Sequence, residues 1–142
     1  MKLNVNSEQI FNELIKFENL PNYLPRQLKD VKILEKSDRY VVTRETLIFK
    51  TVVKNEIIQE SKHEIEKNQI KTTLISGPAK NSVINIFLKN AEGGCEILIK
   101  IDLKLILKAR ILMPIIKKAY VGLLTGVLYK IEKKIKDGKL ND

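Results

Sequence analysis

The fold is decided by residues 93–105, GGCEILIKIDLKL, together with the long segment that follows them. From Cys95 to Leu105, apolar residues alternate with mainly charged ones, which is the two-residue period of a strand with one buried face. The adjacent glycines before this strand tolerate positive φ angles and predict a hairpin turn. Since a sheet covered on both faces would give continuous apolar runs, the alternation favours antiparallel hairpins.

Residues 109–137 change to the periodicity of a helix, with apolar side chains on one face and most lysines on the other. Pro114 suits a first helical turn, and Asp137 followed by Gly138 predicts a glycine cap at the end. About 24 residues at a rise of 1.5 Å give a helix of roughly 36 Å. Because a domain of this size has a radius of only ~14 Å, the helix must cross its full body.

The earlier segments predict one strand, two short helices and five more strands. Leu3 and Val5 alternate with polar residues, and Ser7 is expected to cap a helix over residues 8–17. Two prolines, Pro21 and Pro25, limit the next segment to one or two helical turns. The two-residue period then returns in strands predicted from Leu28 onward and at 40–49, 52–65, 70–76 and 83–89.

The composition bounds the class of protein. The 142 residues, 44% hydrophobic and 30% charged, suit a single globular domain over 1–142. One cysteine excludes an intramolecular disulfide and one histidine excludes a multi-histidine metal centre, so we expect no metal and no cofactor. The first eight residues lack the apolar core of a signal peptide, and the apolar stretch 119–129 is too short for a bilayer. We therefore expect a cytoplasmic protein.

The net charge of +9 is concentrated near the C-terminus, where residues 108–142 carry 9 basic and 3 acidic side chains. A cationic helix can attract anionic lipid or nucleic acid. Nucleic acid is disfavoured, because lysines outnumber arginines 22 to 4 and the segment lacks interleaved aromatic residues. Peripheral contact with an anionic membrane is retained as a hypothesis, through Lys130, Lys133 and Lys134. The alternative is a solvated lysine face, and the oligomeric state stays open.

Three short stretches carry a family resemblance: FENLPNYLP at 17–25 running into VKILE at 31–35, SGPAK at 76–80, and GGCEI at 93–97. In their order and spacing the sequence resembles the SRPBCC superfamily, which includes START domains, Bet v 1-like lipid binders and polyketide cyclase/dehydrases. The resemblance implies an α+β helix-grip fold. In that fold a curved antiparallel sheet of six or seven strands wraps around a long C-terminal helix, with two short helices after strand 1. It does not specify a function, because the superfamily hosts several.

A sheet that grips a helix commonly leaves a cavity, and the strand at 52–65 indicates what that cavity contains. If its charged residues face water, four neutral polar side chains face inward: Asn55, Gln59, Ser61 and His63. Burying such groups costs about 1–3 kcal/mol each unless they are partnered, so they suggest a wet cavity or a site for a ligand head group. The alternative is an edge strand with both faces partly solvated.

The leading hypothesis is therefore a non-enzymatic binder or carrier of a small hydrophobic molecule, such as a lipid, an isoprenoid quinone or a polyketide-like compound. The four polar residues would hold its polar end. The apolar wall is predicted to consist of Phe11, Leu14, Leu24, Ile99, Ile101, Leu103, Ile116, Tyr120, Leu123 and Val127. For Tyr120, plain helix packing is an alternative.

A second hypothesis is an enzyme of the cyclase/dehydratase type that uses the same cavity. Its acid–base candidates are His63, Tyr40, and either Arg44 or Glu45. Arg44 and Glu45 are adjacent, so one of them must face inward, and the sequence does not decide which. A solitary histidine can equally be an ordinary hydrogen-bonded side chain, and no nucleophile–base motif is present.

Overall fold

The computed structural model describes residues 1–50, 54–106, 110 and 113–141, and side chains for 1–49, 56–106, 110 and 113–138. In chain order the elements are β1 Lys2–Leu3, α1 Ser7–Leu14, a 3-10 helix Phe17–Asn22, β2 Leu28–Lys36, β3 Tyr40–Lys50, β4 Lys54–Glu66, β5 Gln69–Leu74, β6 Val83–Ala91, β7 Gly94–Asp102 and α2 Met113–Asn141. The order and type of these elements agree with the sequence predictions.

The seven strands form one antiparallel sheet in the order β1-β7-β6-β5-β4-β3-β2. The first strand pairs with the last, and β2 forms the other edge. Irregular register in β2, between Leu28 and Asp30 and between Ile33 and Glu35, adds bends of the kind that curve a sheet. The curved sheet and the long C-terminal helix confirm the predicted helix-grip fold.

The helix α2 packs against the inner face of this sheet. Its 29 residues correspond to a length of about 43 Å. Its buried side chains include Tyr120, Val127, Leu128 and Ile131. Near the end of the helix, the carboxylate of Glu132 accepts the backbone N–H of Asn4 at 2.7 Å, which ties α2 to the start of the chain. Within the described ranges, no helix combines the length and the apolar composition that spanning a membrane requires.

Three helix termini differ from their predicted positions. α1 ends at Leu14 rather than at residue 17. The N-cap of α1 is Asn6, whose side-chain oxygen accepts the N–H of Glu8 at 2.7 Å, whereas Ser7 is the first helical residue. The predicted glycine cap at Gly138 is wrong, because α2 continues through it to Asn141. A glycine inside a helix costs only about 1 kcal/mol, which does not force the helix to end.

The last strand is shorter than its sequence pattern. β7 ends at Asp102 rather than Leu105. Leu105 is nevertheless buried, and beyond it the N–H of Ile106 donates to the carbonyl of Pro78 at 3.0 Å. Alternate residues therefore continue to face the core for a few positions after the strand pairing of β7 has ended. Parts of two predicted elements lie outside the described residues. These are residues 52–53 of the strand predicted at 52–65, and residues 109, 111 and 112 of the helix predicted at 109–137.

The hairpin between β6 and β7 turns at Glu92 and Gly93, and Gly93 has the positive φ of +78° that the turn predicts. Gly94 is required for a different reason. A Cβ atom on Gly94 would overlap the carbonyl oxygen of Leu3 and lie 2.9 Å from the Cα of Asn4. The absence of a side chain at this position allows β1 to lie directly against β7.

Candidate functional site

A cavity of about 110 Å³ lies between the sheet and α2. Its walls come from strands β2 to β6, from α1 and the 3-10 helix, and from α2. Most of the lining side chains are apolar, and the polar ones are Glu45, Gln59, Ser61, His63, Thr72 and Tyr120. An apolar wall with a few convergent polar groups is typical of a ligand site.

The structure brings together part of the predicted site. The predicted residues that line the cavity are Leu14, Gln59, Ser61, His63, Tyr120, Leu123 and Val127. The predicted residues that pack against the core without lining the cavity are Phe11, Leu24, Ile99, Ile101, Leu103 and Ile116. The side chain of Asn55 lies outside the described residues. No residue of β7, which is described over its full length, reaches the cavity, so the sheet contributes to the wall through β2 to β6.

The polar side chains gather where β3, β4 and β5 run side by side. The antiparallel register pairs Glu45 with Gln59, Thr43 with Ser61, and His63 with Thr72. These six residues and Tyr120 of α2 are called the polar cluster below. Because alternate residues of a strand face the same side, each strand contributes its inward positions to the cluster.

The alternative reading of β4 as an edge strand is wrong. β4 pairs with β3 on one side and with β5 on the other. Its polar residues Gln59, Ser61 and His63 are 4%, 0% and 7% exposed. They are therefore buried groups that need partners.

Glu45 lies at the centre of the polar cluster. Its Oε1 accepts the hydroxyl of Thr43 and its Oε2 accepts the hydroxyl of Ser61, both at 2.9 Å. The Nε2 of His63 lies 3.5 Å from Oε1. Burying a carboxylate is costly unless it is hydrogen-bonded, and the two hydroxyls meet that need.

The hydrogen bonds around His63 define which of its nitrogens carries a proton. Thr43 gives its one hydroxyl proton to Glu45, so it must accept the Nε2–H of His63, 2.8 Å away. The other nitrogen, Nδ1, lies 2.7 Å from the hydroxyl oxygen of Thr72. Nδ1 accepts from Thr72 when the ring is neutral and donates to it when the ring is charged. Phe17 stacks on the imidazole with ring centroids 4.1 Å apart, which fixes the plane of the ring.

Tyr120 connects α2 to the cluster. Its hydroxyl donates to the Oε1 of Gln59 at 2.7 Å. Burial raises the pKa of the Tyr120 phenol, the nearby charge of Glu45 raises it further, and the bond to Gln59 opposes this only in part. The phenol therefore keeps its proton and remains the donor to Gln59.

The acid–base candidates divide between the two faces of the sheet. Tyr40 and Arg44 lie on the outer face of β3, where Arg44 is 3.7 Å from Glu60. Of the adjacent pair, it is Glu45 that faces the cavity. Of the four candidates, His63 and Glu45 are the two that line the cavity. In the part of the chain that the structure describes, no three His, Cys, Asp or Glu side chains meet as a metal site would need.

Sequence reasoning missed Thr43 and Phe17 and left Glu45 undecided. The stretch 40–49 has apolar residues at both odd and even positions, so its pattern alone does not show which of its faces is buried. One signal was available. Glu60 is one of the charged residues of the next strand that were predicted to face water. A residue of opposite charge on the neighbouring strand is a favourable partner for Arg44, which places Arg44 on the same outer face. That pairing leaves Glu45 on the inner face.

The three lysines predicted for membrane contact line an open groove beside the 3-10 helix. Lys130 and Lys133 are exposed. Lys134 lies 3.2 Å from the carboxylate of Glu13 and above the ring of Tyr23. The hydrogen bond to Glu13, reinforced by Tyr23, raises the pKa of Lys134. Lys134 is thus engaged within the molecule, and contact with a membrane stays a prediction.

No protein-family model matches the sequence, and no curated protein is similar to it in sequence. Several solved structures are similar in fold. A protein from Thermus thermophilus has a TM-score of 0.81 at 10% identity, covering 97% of this chain and 94% of that one. The Zhui aromatase/cyclase from a Streptomyces species has a TM-score of 0.76 at 13% identity, covering 95% and 92%. A major latex-like protein from Panax ginseng has a TM-score of 0.63 at 16% identity, covering 94% and 91%.

Identities this low establish the fold alone. The chain shares its helix-grip fold with these structures, and the fold implied by the resemblance of its short motifs is confirmed. Proteins of this fold differ in what they bind and in whether they catalyse a reaction, so the role of this chain has to be argued from its own cavity.

Proposed function

We propose that this protein binds a small, mainly hydrophobic molecule between the sheet and α2, with the polar end of the molecule at the polar cluster. One observation carries the proposal. A carboxylate, an imidazole and several hydroxyls are buried together in the wall of an otherwise apolar cavity. Apolar groups of the same volume are often equally or more stabilising at such positions, so packing alone does not account for the cluster. Contact with a polar group of a bound molecule would give the cluster a role.

The volume of the cavity sets the size of the ligand. About 110 Å³ is close to the ~150 Å³ of an apolar cavity that holds benzene, and below the ~300–1,000 Å³ of pockets for larger ligands. We therefore propose a ligand of about one ring. A lipid, an isoprenoid quinone or a polyketide-like compound would fit only if α2 or the 3-10 helix moved away from the sheet.

An NMR titration with toluene and with benzyl alcohol tests this proposal. We expect both compounds to shift the backbone amide signals of β3, β4 and α2 around the cavity. Val127→Phe should abolish the response, because Val127 is buried in the cavity wall and the larger ring fills the space. Should that variant fail to fold, Leu123→Phe fills the same cavity from a half-buried position.

The matched control is Val121→Phe, since Val121 is 41% exposed on the outer side of the same helix. It should bind both compounds like the unaltered protein. Binding that is equal in the Val127 and Val121 variants would place the ligand elsewhere. The absence of any response to either compound would remove the proposal.

A second candidate, a cyclase/dehydratase-like enzyme, is favoured by one observation. Glu45 and His63 lie 3.5 Å apart in the same buried cavity wall. General acid–base catalysis needs two such groups within reach of one buried point. The fold is also that of an aromatase/cyclase.

Hexane-2,5-dione is a probe of suitable size for this candidate. A base removes a methyl proton, the resulting carbanion attacks the distant carbonyl carbon, and the protonated base returns its proton to the alkoxide formed. The base then removes a second proton from the same carbon as hydroxide leaves, and that proton and hydroxide together make the water released with 3-methylcyclopent-2-enone. An enzyme should accelerate this reaction about 100-fold or more, measured by ultraviolet absorbance, and His63→Ala should abolish the gain. Lys62→Ala, on the outward side of the same strand, should not. A rate that is unchanged by the protein, or by His63→Ala, eliminates this candidate.

Two further proposals concern the cellular setting of the protein and its contact with a membrane. We propose that residues 1–142 form a single domain that works in the cytoplasm. We also propose that Lys130 and Lys133 contribute to contact with an anionic membrane, because they are exposed in the most basic part of the chain.

A further inference from the structure

The hydrogen bonds of the polar cluster restrict the polar end that a ligand can have, if the cavity binds one as proposed above. Three hydroxyl protons are already given to neighbouring side chains: Thr43 to Glu45, Ser61 to Glu45, and Tyr120 to Gln59. A hydroxyl has one proton and two lone pairs. Of the three, Ser61 and Tyr120 line the cavity, so their oxygens can accept a hydrogen bond from a ligand but have no proton left to donate. Thr43 does not line the cavity, and its oxygen already accepts from His63.

The charged group in this part of the cavity wall also favours a hydrogen-bond donor on the ligand. Glu45 is an acceptor only, and a carboxylate has about four lone-pair positions, of which the two hydroxyls occupy two. No lysine or arginine is among the described residues that line the cavity. The basic group beside Glu45 is His63, and its Nε2 proton is given to Thr43. The amide of Gln59 adds donors, but it carries no positive charge that would attract an anion.

We infer that the polar end of the ligand is a hydrogen-bond donor, namely a hydroxyl or a protonated amine, and that carboxylates are rejected. An ammonium group placed here meets a buried negative charge that is only weakly screened. A carboxylate would face Glu45 and would compete with it for the same hydroxyl protons. The ligand class is therefore a one-ring alcohol or amine rather than an organic acid.

Four compounds of nearly equal size separate these possibilities: toluene, benzyl alcohol, benzylamine and benzoate. Toluene reports on the apolar cavity alone. At pH 7, we expect benzylamine to bind at least about tenfold more tightly than toluene and benzoate at least about tenfold more weakly, as judged by NMR titration. Benzyl alcohol should fall between benzylamine and toluene.

Glu45→Gln removes the charge with little change of shape. In this variant the advantage of benzylamine over toluene should fall several-fold, and benzoate should gain. Glu64→Gln is the matched control, because Glu64 is exposed on the outward side of β4 and should leave the order of affinities unchanged. If Glu45→Gln does not fold, the four affinities of the unaltered protein decide the matter.

The two possible failures are distinguishable. If none of the four compounds binds, the proposed function fails, and this inference fails with it. If toluene binds but benzoate binds as tightly as benzylamine, the binding function stands and the inference on ligand class is overturned.

Discussion

Replacing Gly94 by alanine is expected to lower the free energy of unfolding by about 3 kcal/mol, because the new methyl group would overlap the carbonyl oxygen of Leu3. The obstacle is backbone, which cannot rotate away as a side chain can. β1 would have to separate from β7 and expose Leu3, which is fully buried. Urea unfolding measures the loss of stability. Faster hydrogen exchange of the Ile97 amide, which donates to the carbonyl of Met1 at 2.8 Å, would localise it to this edge.

The matched control is Gly122→Ala in the interior of α2. A Cβ atom on Gly122 meets no atom within 4 Å. Alanine is preferred over glycine in a helix by about 0.8–1 kcal/mol, so this variant should be more stable than the unaltered protein. If Gly94→Ala unfolds at the same urea concentration as the unaltered protein, the close contact between β1 and β7 is contradicted.

Leu128→Ala should have an effect of similar size and should also change what the protein binds. Leu128 is 1% exposed and lines the cavity. Its truncation is expected to cost about 2–5 kcal/mol and to enlarge the cavity beyond its present 110 Å³. A two-ring compound such as naphthalene should then bind to the variant and raise its stability, while leaving the unaltered protein unaffected. Urea unfolding with and without naphthalene measures both effects.

Leu98→Ala provides the comparison for this prediction, because Leu98 is 53% exposed. It should change the free energy of unfolding by only about 0.5 kcal/mol and should not confer naphthalene binding. Equal stability of the two leucine variants would show that the wall of the cavity is not packed as described.

The fold was predictable from sequence because two periodicities leave few arrangements. The alternation in β7 requires a sheet with one buried face, and the apolar stripe of α2 requires a surface long enough to cover it. Only the packing of one against the other buries both. The element boundaries were less predictable. The apolar alternation continues to Leu105 although the strand pairing ends at Asp102, and α2 continues through Gly138 instead of ending there.

The site was predictable only in part. Charged residues on alternate positions of β4 indicated that Gln59, Ser61 and His63 face inward, and all three line the cavity. The same alternation gives no information on how far along the sheet a cavity extends, so Ile99 and Ile101 were predicted to line it although β7 does not reach it. The volume of the cavity depends on how side chains from several elements pack together, and no local pattern encodes it.

The chain of contacts from Thr72 through His63 and Thr43 to Glu45 and Ser61 joins three strands. Each of these residues provides the hydrogen-bond partner of the next, so the effects on stability of substituting two of them should not simply add. A descendant of this protein that swaps a single member leaves an orphaned donor or acceptor behind. The polar cluster should therefore diverge through coordinated replacement of several residues, while the apolar wall can change one residue at a time.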